Sequence, residues 1–242
     1  MTELNPVFLD KLRSARKLTF FTGAGMSAES GIPTFRGEDG IWKKFRPEEL
    51  ANFKAFVRSP EMVWEWYQHR RQIITECAPH PGHHAIKDLE SNYSVTVITQ
   101  NIDDLHNRAG STNVVELHGN ILKNYCLSCK KRYDHPAELH IEGTPRCTCG
   151  GLIRPDVVWF GENLPEGLFE KAEEEVITSD ILFSVGTSSV VYPAASLPHT
   201  AIKKGVYVVE INPVETEFTE YADLFIEGKA GLILPQIVKA IS

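Results

Sequence analysis

Five short runs of β-branched and aromatic residues, at 18–21, 95–99, 114–117, 181–185 and 206–211, constrain this chain most, because several are separated by helix-like segments. That alternation predicts parallel strands joined by helical crossovers, an α/β sheet. Helix punctuation agrees. Asn5 before Pro6 and Ser59 before Pro60 read as N-caps followed by proline at the first helical position, and Gly110 and Gly205 fall where helices should stop. Two stretches break the rhythm: 33–78, rich in Trp, Phe and Arg, and 120–155, which holds four of the five cysteines. Both read as insertions forming a smaller lobe beside a sheet domain made of 1–32, 79–119 and 156–242. A length of 242 residues accommodates one large domain with a small one attached.

With 32 acidic against 25 basic residues the formal charge is −7, which repels a polyphosphate backbone, so nucleic acid is not expected as a partner. No stretch approaches the roughly 18 consecutive apolar residues of a membrane span. Glu3 and Asp10 precede any apolar run, unlike a secretory signal. The expectation is a soluble, cytoplasmic protein without a membrane partner, whose cysteines are thiols or metal ligands before they are disulfides.

Each apolar run ends in a polar or glycine cluster: Gly23-Ala24-Gly25-Met26-Ser27, Thr99-Gln100-Asn101-Ile102-Asp103, His118-Gly119, Gly186-Thr187-Ser188-Ser189 and Asn212-Pro213. In open α/β sheets ligands bind outside the carboxyl ends of the strands, so these clusters are expected to converge on one crevice. The glycines of the first would admit a pyrophosphate at a helix start. The next glycine is Gly31, however, so the pattern departs from GxGxxG, and a tight structural turn is the alternative. His118 reads either as a hydrogen-bonded strand-end histidine or as a general base at the crevice edge, with Gly119 leaving access to its ring. Gln100, Asn101 and Asp103 combine amides with a carboxylate, suited to a carboxamide such as nicotinamide, while Asn101 or Asp103 also fits a helix cap.

Cys126-x-x-Cys129 and Cys147-x-Cys149 make two thiolate pairs able to close a tetrahedron around one zinc ion. Four protein ligands leave no open position, so the metal would brace the small lobe; an iron–sulfur site or redox disulfides are the competing assignments. Cys77 stands apart.

Together these segments resemble the sirtuins, the Sir2-like NAD-dependent protein deacylases: GAGMSAESGIPTFRG at 23–37, TQNID at 99–103, His118-Gly119, the four cysteines, Phe160-Gly161-Glu162 and Gly186-Thr187-Ser188. The resemblance runs from about Thr19 to Lys229. It implies a Rossmann-like large domain, a small zinc-bearing domain, and removal of acyl groups from lysine with NAD consumed. Gly23, Ala24, Gly25, Phe35 and Arg36 would hold the pyrophosphate and nicotinamide-side ribose, and Gln100, Asn101 and Asp103 the nicotinamide. Gly186, Thr187, Ser188, Asn212 and Ala230 would embrace the adenosine half, with Ser27, Trp42, Ile102 and Pro213 in the same cofactor-binding set. His118 would deprotonate a ribose hydroxyl after the acyl oxygen displaces nicotinamide. The loops at 157–162, including Val157, Val158, Phe160 and Gly161, and at 189–192 would clasp an acylated peptide as an added strand. The CxC second cysteine pair and Ser189, where leucine is frequent, depart from many relatives.

In the helix starting near Pro60, Val63, Tyr67, Arg70 and Ile74 share one face, flanked by Trp66 and Ile73, which sets a guanidinium in an apolar stripe. It needs an anionic partner there, unless it snorkels to water or pairs with a local acid such as Glu65. Tyr67-x-x-Arg70 resembles the signature of the class III sirtuins, which remove malonyl and succinyl groups, and the small Ala51 fits a roomier pocket. Two alternatives share these motifs: a mono-ADP-ribosyltransferase using the same NAD site, and a non-enzymatic NAD-sensing or zinc-ribbon module that needs no base.

Overall fold

The computed structural model describes residues 4–34, 50–133 and 143–241. Strands β1 (Lys17–Thr22), β2 (Ser94–Thr99) and β3 (Val114–Glu116) precede an antiparallel trio, β4 (Gly119–Cys126), β5 (Arg132–Tyr133) and β6 (Ile153–Val157). Then follow β7 (Ile181–Val185), β8 (Tyr207–Asn212) and β9 (Leu224–Glu227). The first three and last three form one sheet in the order β3-β2-β1-β7-β8-β9, with every pairing parallel. Strand order reverses between β1 and β7, the Rossmann-like arrangement. All five expected runs are strands, with ends shifted by a residue or so. β9 lies outside them because this four-residue edge strand buries Ile226 alone and carries little apolar pattern.

Alternation along β1 builds two cores. Phe20 stacks on Phe183 at 4.7 Å on one face, under the helices Pro6–Ser14, Pro81–Leu89 and Ala230–Ile241. Phe21 joins Ile98, Leu117 and Leu182 on the other, under the helices Leu168–Ile177 and Ser196–Lys203. A central parallel strand is covered twice, so β1 buries apolar side chains on both faces.

The punctuation is partly as expected. Asn5 accepts from the Val7 and Phe8 amides at 2.8 and 3.3 Å, while Gly110 and Gly205, with φ of +96° and +77°, follow helix ends. Ser59 occupies the N-cap position of the helix Pro60–Glu76, but its side chain caps nothing.

The small lobe packs the helices Phe53–Arg58 and Pro60–Glu76 against the β5-β4-β6 sheet. The longer helix buries Val63, Tyr67, Arg70 and Ile74 as their spacing predicts. It also buries Trp64 and Arg71, so a second face serves the three-stranded sheet. Trp64 packs with Cys126, Cys147 and Ile153, and Arg71 donates to the Ile121 carbonyl at 2.6 Å and to Asn124.

Candidate active site

The loops leaving β1 and β7 meet at the strand-order reversal and are locked together by glycines. The Gly23 amide donates to the Val185 carbonyl at 3.0 Å and the Gly25 amide to the Gly186 carbonyl at 2.8 Å. A Cβ on Gly25 would fall 2.8 Å from the Gly186 Cα, and one on Gly186, at φ +59°, would fall 2.3 Å from the Met26 nitrogen. These glycines therefore do serve a tight structural contact, and that contact shapes the wall of a cleft of about 510 Å³.

Gly23, Ala24, Gly25, Gln100, Asn101, Ile102, His118, Gly186, Thr187, Ser188 and Asn212 all line this cleft, which brings clusters spread over most of the chain to one crevice. Asn101 donates from Nδ2 to the Gly23 carbonyl at 2.8 Å and to Ser27 Oγ at 3.0 Å, so its amide oxygen is left for a ligand. Gln100 donates to Thr187 Oγ1 at 2.9 Å. Asp103 accepts from Ser27 Oγ at 2.6 Å and from the Leu105 amide at 3.0 Å, so it does cap the turn that follows. Burial raises its carboxyl above the ordinary range, against the Ser27 and Leu105 hydrogen bonds. Ser27 and Asp103 border a small pit whose walls share Ala24, Arg70, Asn101 and Ile102 with the cleft.

His118 sits in the turn between β3 and β4, 3.0 Å from the Gln100 carbonyl through Nδ1. A carbonyl only accepts, so Nδ1 carries the proton and Nε2 keeps its lone pair. Burial pulls the imidazole below its usual value, with the Gln100 bond opposing, so the ring is neutral at pH 7. Gly119 does more than leave access to the ring: it holds φ +79° and a Cβ there would fall 2.1 Å from the Asp156 carbonyl oxygen. The Val158 amide donates to the His118 carbonyl at 2.9 Å, tying this residue to the next wall.

That wall is the segment after β6. Val157, Val158, Trp159, Phe160, Gly161 and Glu162 line the cleft, facing Val191, Tyr192 and Pro193. Arg154, 1% exposed, holds the segment from behind: it lies over the Trp159 ring at 3.4 Å and forms a double ion pair with Glu162 at 2.5 and 2.9 Å. The Phe160 amide donates to the Ala51 carbonyl at 3.0 Å. Ala51, Trp66, Tyr67 and Arg70 complete the cleft from the helical side. Arg70 is 8% exposed, so it does not snorkel, and Glu65 is exposed on another face. Its guanidinium lies over Trp66 at 5.1 Å; burial lowers its pKa, while Tyr67 and Asp103 act oppositely. Tyr67 accepts from Trp159 Nε1 at 2.7 Å, which leaves the hydroxyl proton for another acceptor, and burial pushes its pKa up to about 12.

Pro213 is exposed beside the cleft, and Ala230 is buried in the core at the start of the last helix; neither lines the cleft. Phe35, Arg36 and Trp42 lie outside the described residues. Leu164, Pro193, Val214 and Thr216 line it without a sequence signal, being ordinary residues placed by loop geometry.

The sulfurs of Cys126, Cys129, Cys147 and Cys149 all lie within 4.8 Å of one another. A tetrahedral ion with Zn–S bonds of about 2.3 Å separates its sulfurs by roughly 3.8 Å, so the cluster fits zinc. Tyr133 donates to Cys147 Sγ at 3.1 Å, an outer hydrogen bond of the kind that orients a ligand.

The Sir2 family model matches residues 23–193. NAD-dependent protein deacylase 2 of Pyrobaculum aerophilum is 52% identical over 236 residues, covering 96% of this chain and 94% of its own. An ADP-ribose complex of a mutant Sir2 homologue superposes with a TM-score of 0.94 at 44% identity, covering 98% of this chain and 96% of that one. A complex of Sir2 with a p53 peptide and NAD+ gives 0.88 at 34% identity, covering 98% of each. The family model covers more than half of the chain and these relatives match it along nearly its whole length, so the chain belongs to the Sir2 family.

Proposed function

We propose that this protein is an NAD-dependent protein-lysine deacylase that prefers acidic acyl groups, succinyl and malonyl over acetyl. The observation carrying the deacylase reading is the neutral His118 imidazole, its Nε2 lone pair free, in the same cleft as the Gly23–Gly186 contact. NAD and the acyl-lysine are both substrates. The acyl oxygen attacks the ribose carbon bearing nicotinamide; the C–O bond forms as the C–N bond breaks, and nicotinamide leaves with the bonding pair. His118 then accepts a proton from a ribose hydroxyl, whose oxygen attacks the acyl carbon; the acyl carbon–nitrogen bond breaks, the lysine amine leaves protonated, and water opens the cyclic acyloxonium so formed to the acyl ester of ADP-ribose. A neutral amide is a poor nucleophile, so much of the rate comes from holding its oxygen against the sugar. The segment 157–162 and Tyr192 offer the walls between which a peptide would lie. The names and complexes of the relatives support this reading.

The acyl preference rests on Arg70 and Tyr67 at the helical end of the cleft. A guanidinium lining the cleft can meet a ligand carboxylate through charge-assisted hydrogen bonds, and the Tyr67 hydroxyl supplies a second donor. Losing one partner of such a contact costs on the order of 2 to 5 kcal/mol, roughly 30-fold to several thousand-fold. Arg70→Met should therefore reduce kcat/KM for a succinylated peptide by that factor and leave an acetylated peptide of the same sequence within about threefold. Equal losses on both peptides would refute the preference.

A further inference from the structure

Glu210, fully buried near the end of β8, has no counterpart in the chemistry above. Its Oε1 accepts from Asn212 Nδ2 at 2.8 Å and from Thr216 Oγ1 at 2.6 Å, and its Oε2 from Thr219 Oγ1 at 2.5 Å. Asn212 Nδ2 also donates to the Thr187 carbonyl at 3.0 Å. Both of those partners accept only, so the amide orientation is fixed and both its N–H groups are used. Asn212 and Thr216 line the cleft, and what Asn212 has left to offer is its amide oxygen.

In dinucleotide folds an acidic residue roughly 20 positions beyond the glycine turn takes a ribose hydroxyl directly. Glu210 follows the Gly186 turn at comparable spacing, but its oxygens are committed to the three side chains and it has no exposed surface. We propose that Glu210 is a positioning residue for the adenosine end of the cleft: by clamping the Asn212 amide, it presents an acceptor that selects a ribose hydroxyl and rejects a ribose 2′-phosphate. A hydroxyl donates to the Asn212 oxygen. A phosphate brings negative charge against that oxygen with a carboxylate directly behind it. Among the described lining residues the permanently cationic side chain is Arg70, placed beside the residues that follow β2. Three strand spacings, roughly 14 Å, separate β2 from β8, so that cation is not at hand.

This inference rests on the NAD reading, and the two fail differently. Titration calorimetry with ADP-ribose and with ADP-ribose 2′-phosphate, alongside steady-state kinetics, measures it. In Glu210→Gln the charge behind the Asn212 amide is lost and one of the two acceptor oxygens becomes a donor, which loosens the clamp. The expected result is a Kd for ADP-ribose and a KM for NAD raised roughly tenfold, with kcat at saturating NAD within about twofold. The preference for ADP-ribose over its 2′-phosphate should shrink by a similar factor. Thr219→Val removes one hydroxyl from the half-buried rim of the clamp without touching the cleft, and should shift both quantities the same way by a smaller factor. Unchanged affinities and preference in both variants, with at most a lowered Tm, would overturn the clamp, as would an equal weakening of both ligands. Wild-type protein that binds neither ligand and releases no nicotinamide would instead sink the NAD reading itself.

Discussion

A hydrogen bond on its far side fits His118 to the proposed role of general base. The Gln100 carbonyl fixes the proton on Nδ1, and burial keeps the ring neutral below the ordinary histidine value. In the proposed role of general base the working form is the neutral one, so kcat/KM should rise with pH along an acid limb centred below about 6.5 and stay level above it, with no fall from this group. A limb centred above 7 would contradict that environment. Replacing His118 by Ala should lower kcat by at least about a hundredfold while NAD still binds. The residue types at 99–103, 118 and 186–188 were legible in the sequence because polar clusters at strand ends are conspicuous. Arg71, Arg154 and Glu210 were not, since each is a charged side chain whose partners come from remote segments or from loop turns without periodicity.

The elements meet with tolerances that single residues reveal. Gly186 carries φ +59° and abuts the Gly25 and Met26 backbone, so Gly186→Ala adds both left-handed strain and a clash. A loss of about 2 to 5 kcal/mol of stability in urea is expected, together with weakened ADP-ribose binding; a variant as stable as wild type would show that the two loops are not in contact. The segment 157–162 depends on Arg154 from β6. Glu162→Gln leaves a buried guanidinium short of its carboxylate, which should cost on the order of 3 kcal/mol and raise KM for the acyl-peptide more than KM for NAD. Strand positions followed from the apolar runs, and the buried stripe of the helix Pro60–Glu76 from its spacing. Its second buried face, through Trp64 and Arg71, was hidden because it packs on the four-cysteine module, whose three-stranded sheet has strands too short and irregular to announce themselves.

Across the whole molecule, a buried histidine group sets the acid limit. His80, His83 and His106 pack edge-on and tilted with ring centroids 4.3 and 4.8 Å apart, between the Met26 carbonyl and the Thr22 hydroxyl. Burial lowers His83 far below its normal value and His106 to about 3, with the neighbouring histidines adding to the effect. Both folded values lie below the unfolded one, so the unfolded chain binds protons first. Stability is then fully present above about pH 6.5 and falls by on the order of 1.4 kcal/mol per pH unit for each group as pH drops toward 3. His106→Gln should flatten that slope in urea titrations between pH 6 and 4, and an unchanged slope would remove these rings from the account. In the proposed function NAD and an acyl-lysine react in the cleft that His118 shares with the Gly23–Gly186 contact. Quantifying nicotinamide released from NAD, with acylated and with unmodified peptide, tests it most directly. One nicotinamide per acyl group removed, and none with unmodified peptide, is the predicted result. Release that ignores the acyl group, or deacylation without NAD, would contradict it.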